Sequence, residues 1–412
     1  MQTEKFFKTY LFVTLAYWIF MLSDGALRML VLLHFHTLGY SPIQLAYVFV
    51  LYELAGVFTN ILAGWVGSRY GLSSTLIAGL ALQIVAVLAL SQLQQDWVLA
   101  YSMIYVMLVQ GLSGIAKDLS KMSAKSAVKI LSPDNNQKLF RWVATLTGSK
   151  NTVKGLGFFI GAVSLNFFGF VPVLYGMAVV LLIVLFSSLI LISNRLPKGK
   201  STSKFTEILS NNANINWLSF SRVFLFGARD VWFVVGVPIY FYTFLSQHNS
   251  GVNNFAFFIV GSFMAIWIIF YGIIQALVPK LKFIRTKTDN ELLEASFRWI
   301  IILSLVPISL SLCMFLIDGS SVSSLVLMVG GLLVFAVLFA FNSSLHSYLI
   351  LSFTTTERVA RDVGFYYMSN ALGRLFGTIL SGITYQASGL WLCLATSGFM
   401  LLIGGIGVKN LK

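Results

Sequence analysis

The chain has 412 residues, of which 58% are hydrophobic and only 10% charged, with mean hydropathy +0.85. A soluble domain of that length has no place for so much apolar surface; apolar runs of roughly 20 residues recur throughout, as in a polytopic helical membrane protein. The formal net charge of +14 is therefore read through membrane topology first, and nucleic acid is not an expected partner.

The first apolar run starts near Thr9. It is too long for a signal-peptide core and has no small-residue cleavage site, so it is expected to stay as the first span. Polar or Gly/Pro-containing seams then divide the sequence into about twelve spans, at 9–37, 43–67, 72–93, 97–119, 139–168, 171–193, 217–245, 253–278, 295–317, 321–350, 358–387 and 389–408. Seams after the odd-numbered spans, such as His36–Pro42, Gln94–Asp96, Gln247–Asn253 and Asp318–Ser321, contain no Lys or Arg. The alternate seams carry Arg69; Lys121, Lys125, Lys129 and Lys138; Arg195, Lys198, Lys200 and Lys204; Lys280, Lys282, Arg285 and Lys287; and Arg358 with Arg361. The positive-inside rule then puts both termini in the cytoplasm, which requires an even number of spans; the inner (plasma) membrane is the expected location. Cys313 and Cys393 lie in apolar stretches and form neither a disulfide framework nor a metal spacing.

The polar seam at 194–216 predicts a cytoplasmic linker between two six-helix halves, 1–193 and 217–412. A faint internal repeat agrees. A shift of 220 positions carries Lys154 onto Arg374, Gly157 onto Gly377, Asn166 onto Gln386 and Gly169 onto Gly389; a shift of 206 carries Asp24 onto Asp230. Parallel repeats with a site between them near the midplane are a transporter pattern.

Charge inside the spans is the strongest pointer to function. Arg28, Lys150, Lys154, Arg229 and Arg374 lie deep in apolar helices, with only Asp24, Asp230 and Glu53 at similar depth. A cation at the bilayer centre costs roughly 2.5–3.5 kcal/mol on insertion scales, so such residues face a watery cavity, pair with an anion or handle a charged substrate. Asp24 and Arg28 are four apart on one face of the first span; they either neutralise each other or line a cavity together. Arg229 and Asp230 are adjacent and point about 100° apart, so they are not expected to satisfy each other on one face, and Arg229 is expected to look into the cavity. Lys150 and Lys154 share a face with no carboxylate in their own helix, a placement suited to a multiply charged anion, with Asn151 beside them. Arg374 supplies a bidentate fork from the other half. Glu53 has no local partner and either carries a proton or makes a structural hydrogen bond.

The fourth span runs into Lys117-Asp118, and its lysines at 117, 121, 125 and 129 recur every fourth residue. They form either a topology anchor in contact with membrane lipids or an electropositive vestibule at Lys117 and Lys121, with Gln110 higher in the pore. His34, His36 and His346 read as polar interface residues. No phosphate-binding G-x-x-x-x-G-K-[ST] loop and no nucleophile–base set is found, so neither an enzyme nor a resident cofactor is expected.

The layout resembles the major facilitator superfamily. Gly64-Trp65-Val66-Gly67-Ser68-Arg69-Tyr70-Gly71 is similar to its loop after the second helix at Gly64, Arg69 and Gly71. Ser68 stands where that motif has Asp, and Leu72-Ser73 where it has a basic pair, so the motif's charge relay is not carried over. Within the superfamily, three stretches resemble the organoarsenical efflux branch linked to arsenate resistance: Ser23 to Leu30 with Leu33-His34-Phe35-His36, then Gly111 to Asp118, and Gly148-Ser149-Lys150-Asn151. That resemblance implies export of 1-arseno-3-phosphoglycerate by alternating access, with a functional link to a glyceraldehyde-3-phosphate dehydrogenase that makes it. It supplies no site residues; those rest on the physical argument, as does the expected monomer. The alternatives are export of another organic anion or a drug, and a membrane scaffold or sensor that no longer transports.

Overall fold

A computed structural model describes residues 2–70, 72–94, 96–131, 136–191, 212–248, 253–278, 289–317, 321–354 and 359–411. Among these residues the chain is helical and contains no strand: α1 (Gln2–Thr37), α2 (Pro42–Tyr70), α3 (Leu72–Leu90), α4 (Leu99–Leu131), α5 (Asn136–Phe168), α6 (Phe170–Leu191), α7 (Ala213–Phe233), α8 (Gly236–His248), α9 (Asn253–Leu277), α10 (Asp289–Leu316), α11 (Val322–Phe353), α12 (Val359–Ser388) and α13 (Leu390–Lys409). Helices α7 and α8 together make the seventh of twelve spans. The linker at 192–211, the seams at 132–135 and 279–288, Arg358, and the side chains of 63–70, 125–131, 136–148 and Arg361 lie outside the described residues.

The hydropathy-based boundaries hold to within a few residues except where α1 starts at Gln2, before the expected 9, where α4 runs on to Leu131, past the expected 119, where α10 starts at Asp289, before the expected 295, and at the seventh span. There the backbone breaks at Val234–Val235 and restarts at Gly236. Pro238 has no N–H to return to Val234, so the helix cannot run through unchanged. At the break the Ser381 hydroxyl accepts from the amides of Val235 (3.2 Å) and Gly236 (3.3 Å). At its other end α7 begins at Ala213, inside the expected linker, capped by the Asn212 side chain accepting from Asn214 N at 2.9 Å.

Ten of the spans are long and apolar enough to cross a membrane on length and composition alone. The two that are not, α5 and α12, are long enough but more polar, and they are the pair the 220-residue shift superposes. Both end alike. Gly169 (φ +79°) follows α5 and Gly389 (φ +75°) follows α12, each in the left-handed region that glycine alone enters without strain.

Within the first six spans α1 packs on α5 and α4 on α2 and α3; within the last six α7 packs on α12 and α13, and α10 on α13. The two groups meet along α2·α12 and α5·α9. Small residues allow the closest of these approaches. A Cβ at Gly157 would press on the α1 backbone, 3.0 Å from Ala26 N, and one at Gly377 would stand 2.8 Å from Asp230 Cβ on α7. The repeat thus places a glycine of α5 against α1 and a glycine of α12 against α7. In the second group, Trp232 and Trp267 (5.3 Å between centroids) pack with Phe335, and the Trp267 indole N–H donates to Leu332 O at 2.8 Å, bracing the helix that bears Arg229 and Asp230.

At the end of the bundle remote from the termini the groups are in direct contact. Ile43 N donates to Gln386 Oε1 (3.2 Å), and the rings of His36 and Tyr242 meet edge-on at 5.1 Å.

Candidate functional site

A cavity of about 180 Å³ opens between the groups, from mid-span toward the end that carries the termini. Its wall gathers Arg28 from α1; Lys117 and Lys121 from α4; Lys150, Asn151 and Lys154 from α5; Arg222, Arg229 and Asp230 from α7; and Asn370 with Arg374 from α12. Eight cations thus converge on one cavity between the groups. Among the described residues four carboxylates oppose them (Asp24, Glu53, Asp118 and Asp230), leaving a formal excess of 8 − 4 = +4.

The pairing crosses helices. Lys154 Nζ lies 2.6 Å from Asp24 Oδ2, and the Tyr52 hydroxyl donates to the other Asp24 oxygen. Arg374 Nε reaches Asp230 Oδ2 at 3.2 Å. These two bridges are equivalent under the sequence repeat, Lys154 with Asp24 and Arg374 with Asp230. A third connection has no such twin: Glu53 Oε1 accepts from Arg28 NH1 (3.0 Å) and from Arg374 NH2 (2.5 Å). Glu53 sits on α2 and Arg374 on α12, so this bridge joins the two groups. Glu53 and Asp24, both almost wholly buried, stand behind the wall.

Several expectations are corrected. Asp24 and Arg28 do not pair with each other; each finds an opposite charge on a different helix, because α5 and α2 approach closer than one turn of α1 allows. Glu53, which has no partner on its own helix, takes the second of its expected alternatives and bonds neighbouring helices through Arg28 and Arg374. Arg229 and Asp230 do satisfy each other, at 2.5 Å from NH2 to Oδ1: the long guanidinium stem folds back over the 100° that separates their Cβ directions. Arg229 nonetheless lines the cavity, between the rings of Phe226 and Phe339 at 5.0 and 5.5 Å. Gln110 is buried but is not part of the wall, and its Nε2 has no partner among the described residues.

Lys117 and Lys121 are deeper than a surface vestibule. Lys117 is 6% exposed with its ammonium 4.0 Å from the Tyr52 ring centroid, and Lys121 bonds Asp118 and Asn60, both at 2.7 Å. The sequence reading missed Arg222, one of the eight cations, along with Asn370, Gln275 and Ser343. Arg222 lies two turns before Arg229 on the same face of α7, and that i, i+7 spacing was the available signal. His34 stacks on Phe170 at 3.9 Å between centroids, and His346 is fully buried with both ring nitrogens unpartnered among the described residues.

The sequence profile of the Major Facilitator Superfamily matches residues 13–288. The chain belongs to this superfamily. It is thus a multi-pass membrane protein and a secondary transporter of small molecules rather than an enzyme, as fits the inner membrane. Solved structures agree on the fold. The nucleoside transporter NupG superposes with TM-score 0.70 at 16% identity, covering 98% of this chain and 100% of its own. A POT family transporter in complex with 5-aminolevulinic acid gives 0.71 at 14% (98% and 95%), and a D-xylose-proton symporter 0.69 at 11% (98% and 97%). At such identities the likeness concerns fold alone. No curated protein sequence matches the chain significantly.

Proposed function

We propose that this transporter exports a small, multiply charged organic anion, a phosphorylated or arsenylated three-carbon metabolite of the 1-arseno-3-phosphoglycerate kind, and so confers arsenate resistance. The observation that carries this is the convergence of eight cations on one cavity against four carboxylates. A site for cationic drugs would need the opposite balance. The three stretches that resemble the organoarsenical branch contribute to the same place: α1 brings Asp24 and Arg28, α4 brings Lys117 and Asp118, and α5 brings Lys150 and Asn151. In this reading residues 1–193 and 217–412 are the two rocking halves, joined by a linker at 194–216, with both termini in the cytoplasm. The cavity then faces the cytoplasm, where the substrate is made by a glyceraldehyde-3-phosphate dehydrogenase using arsenate in place of phosphate. The protein works as a monomer.

Anion binding at Arg28, Arg229 and Arg374 would compete with Glu53 and Asp230 for the same guanidiniums. Substrate therefore loosens the Glu53–Arg374 bridge between halves, which couples occupancy to movement. Proton exchange at Glu53 or the aspartates is an addition this reading permits but does not require.

Cells expressing the chain together with the dehydrogenase and challenged with arsenate are expected to hold less intracellular arsenic than cells expressing the dehydrogenase alone. Equal arsenic in both would end the export reading. The extensive pairing of the deep cations also suits a scaffold that has lost translocation; in that case Arg374→Ala would leave arsenic levels unchanged.

A further inference from the structure

We propose that Arg222, with Ser343, Asn370 and Gln275, is the primary subsite for a tetrahedral oxyanion head group; this rests on the organic-anion reading above and assigns the residue that carries it. Arg28 and Arg374 share Glu53, Arg229 and Arg374 hold Asp230, Lys154 holds Asp24, and Lys121 holds Asp118. Each must give up a carboxylate to receive a ligand. Arg222 need not. Among the described residues no carboxylate lies within 4.0 Å of it, yet it is 4% exposed and lines the cavity.

The partners Arg222 does have are neutral. Its Nε donates to Asn370 Oδ1 at 3.2 Å, and its NH1 to Ser343 Oγ at 3.3 Å. Its guanidinium carbon lies 4.0 Å from the Phe226 centroid and 4.8 Å from that of Tyr366. Ring faces stabilise a cation without cancelling its charge. A buried, unneutralised guanidinium suits an anion that arrives from outside; its Nε and NH1 are held by Asn370 and by the Ser343 hydroxyl and carbonyl (3.5 Å), so its NH2 is the donor left for an oxygen of a phosphate or arsenate.

The surrounding groups aim it. Gln275 Nε2 donates to Ser343 Oγ at 3.1 Å, so that oxygen accepts from Gln275 and from Arg222 together. Both lone pairs are then engaged, and the hydroxyl proton is left to donate to an anion on Arg222. Asn151 Nδ2 in turn donates to Gln275 Oε1 at 3.4 Å, which ties the subsite to α5 in the first group. A two-headed substrate accordingly seats one head on Arg222 without breaking an ion pair, while the other competes for the bridged cations.

The test is calorimetric titration of the purified protein in phosphatidylcholine nanodiscs with 3-phosphoglycerate and, separately, inorganic phosphate. Wild type should bind 3-phosphoglycerate, Arg222→Gln should weaken it more than about 30-fold, and Asn370→Ala, which spares the charge, should weaken it by a smaller factor. The exposed control Arg298→Gln should leave binding unchanged. If Arg222→Gln binds as wild type does while Arg28→Gln loses binding, the subsite is wrong and the organic-anion reading stands. If wild type binds neither probe, both fall. Should Arg222→Gln not fold, unaltered affinity in Asn370→Ala and Ser343→Ala overturns the proposal. Phosphatidylglycerol added to the nanodiscs should leave affinity unchanged; competition by it would make the occupant a lipid headgroup and overturn the soluble-anion assignment.

Discussion

Replacing Glu53 by Gln is expected to destabilise the ligand-free protein by about 3–5 kcal/mol, the usual cost of removing one partner from a buried ion pair. The carboxylate is 1% exposed, and one oxygen serves two guanidiniums, Arg28 at 3.0 Å and Arg374 at 2.5 Å. Its loss raises the formal excess around the cavity from +4 to +5 and leaves Arg28 with no carboxylate among the described residues. A multiply charged organic anion brings back the missing negative charge. Thermal unfolding in nanodiscs should therefore show the variant melting lower than wild type without ligand and gaining more from 3-phosphoglycerate than wild type does. Transport should fall sharply, because the empty carrier no longer has the Glu53–Arg374 bridge to return through. Equal ligand-induced shifts in the two proteins would mean that the substrate does not compete for these guanidiniums.

The second large effect concerns Asp24 and Lys154. Lys154→Met leaves a buried carboxylate with only the Tyr52 hydroxyl, at a cost again of about 3–5 kcal/mol. Asp24→Asn combined with Lys154→Met removes both charges and should recover most of that stability, since the coupling between contacting partners is what the single variant exposes. Stability and function then separate: the double variant is expected to fold like wild type and to transport poorly, because Lys154 lines the cavity. A double variant with wild-type transport would reduce the pair to a brace between α1 and α5. By the repeat, Asp230 with Arg374 poses the same question in the second group, but there Arg374 also holds Glu53 and Asp230 also holds Arg229, so that pair cannot be isolated by two substitutions.

The fold was legible because each span is long enough to dominate its own hydropathy, and the seams between spans punctuate it. Even the repeat could be read: Gly169 and Gly389 turn alike, and the shifts that matched Lys154 with Arg374 and Asp24 with Asp230 matched two real salt bridges. The break at Val234–Val235 was hidden inside a continuous apolar run, with Gly236 and Pro238 its only marks. Ion-pair partners were the least legible feature. Periodicity reports which residues share a face of one helix, whereas Glu53 meets Arg374 across 321 positions of sequence and Lys154 meets Asp24 across 130. For Arg229 and Asp230, Cβ geometry misled because a guanidinium reaches farther than its Cβ direction indicates. Gln110 was polar and shares the face of α4 that bears Lys117 and Lys121, but it lies two turns farther along the helix than Lys117, beyond the cavity wall.

The central claim is that the cationic cavity carries a multiply charged organic anion across the membrane. Its most direct test is uptake of 1-arseno-3-phosphoglycerate into everted membrane vesicles, with and without a pH gradient. The account predicts saturable uptake by vesicles bearing the protein, and its loss in vesicles bearing Arg374→Ala at equal protein abundance. Uptake no greater than in vesicles lacking the protein, under either gradient, would contradict it.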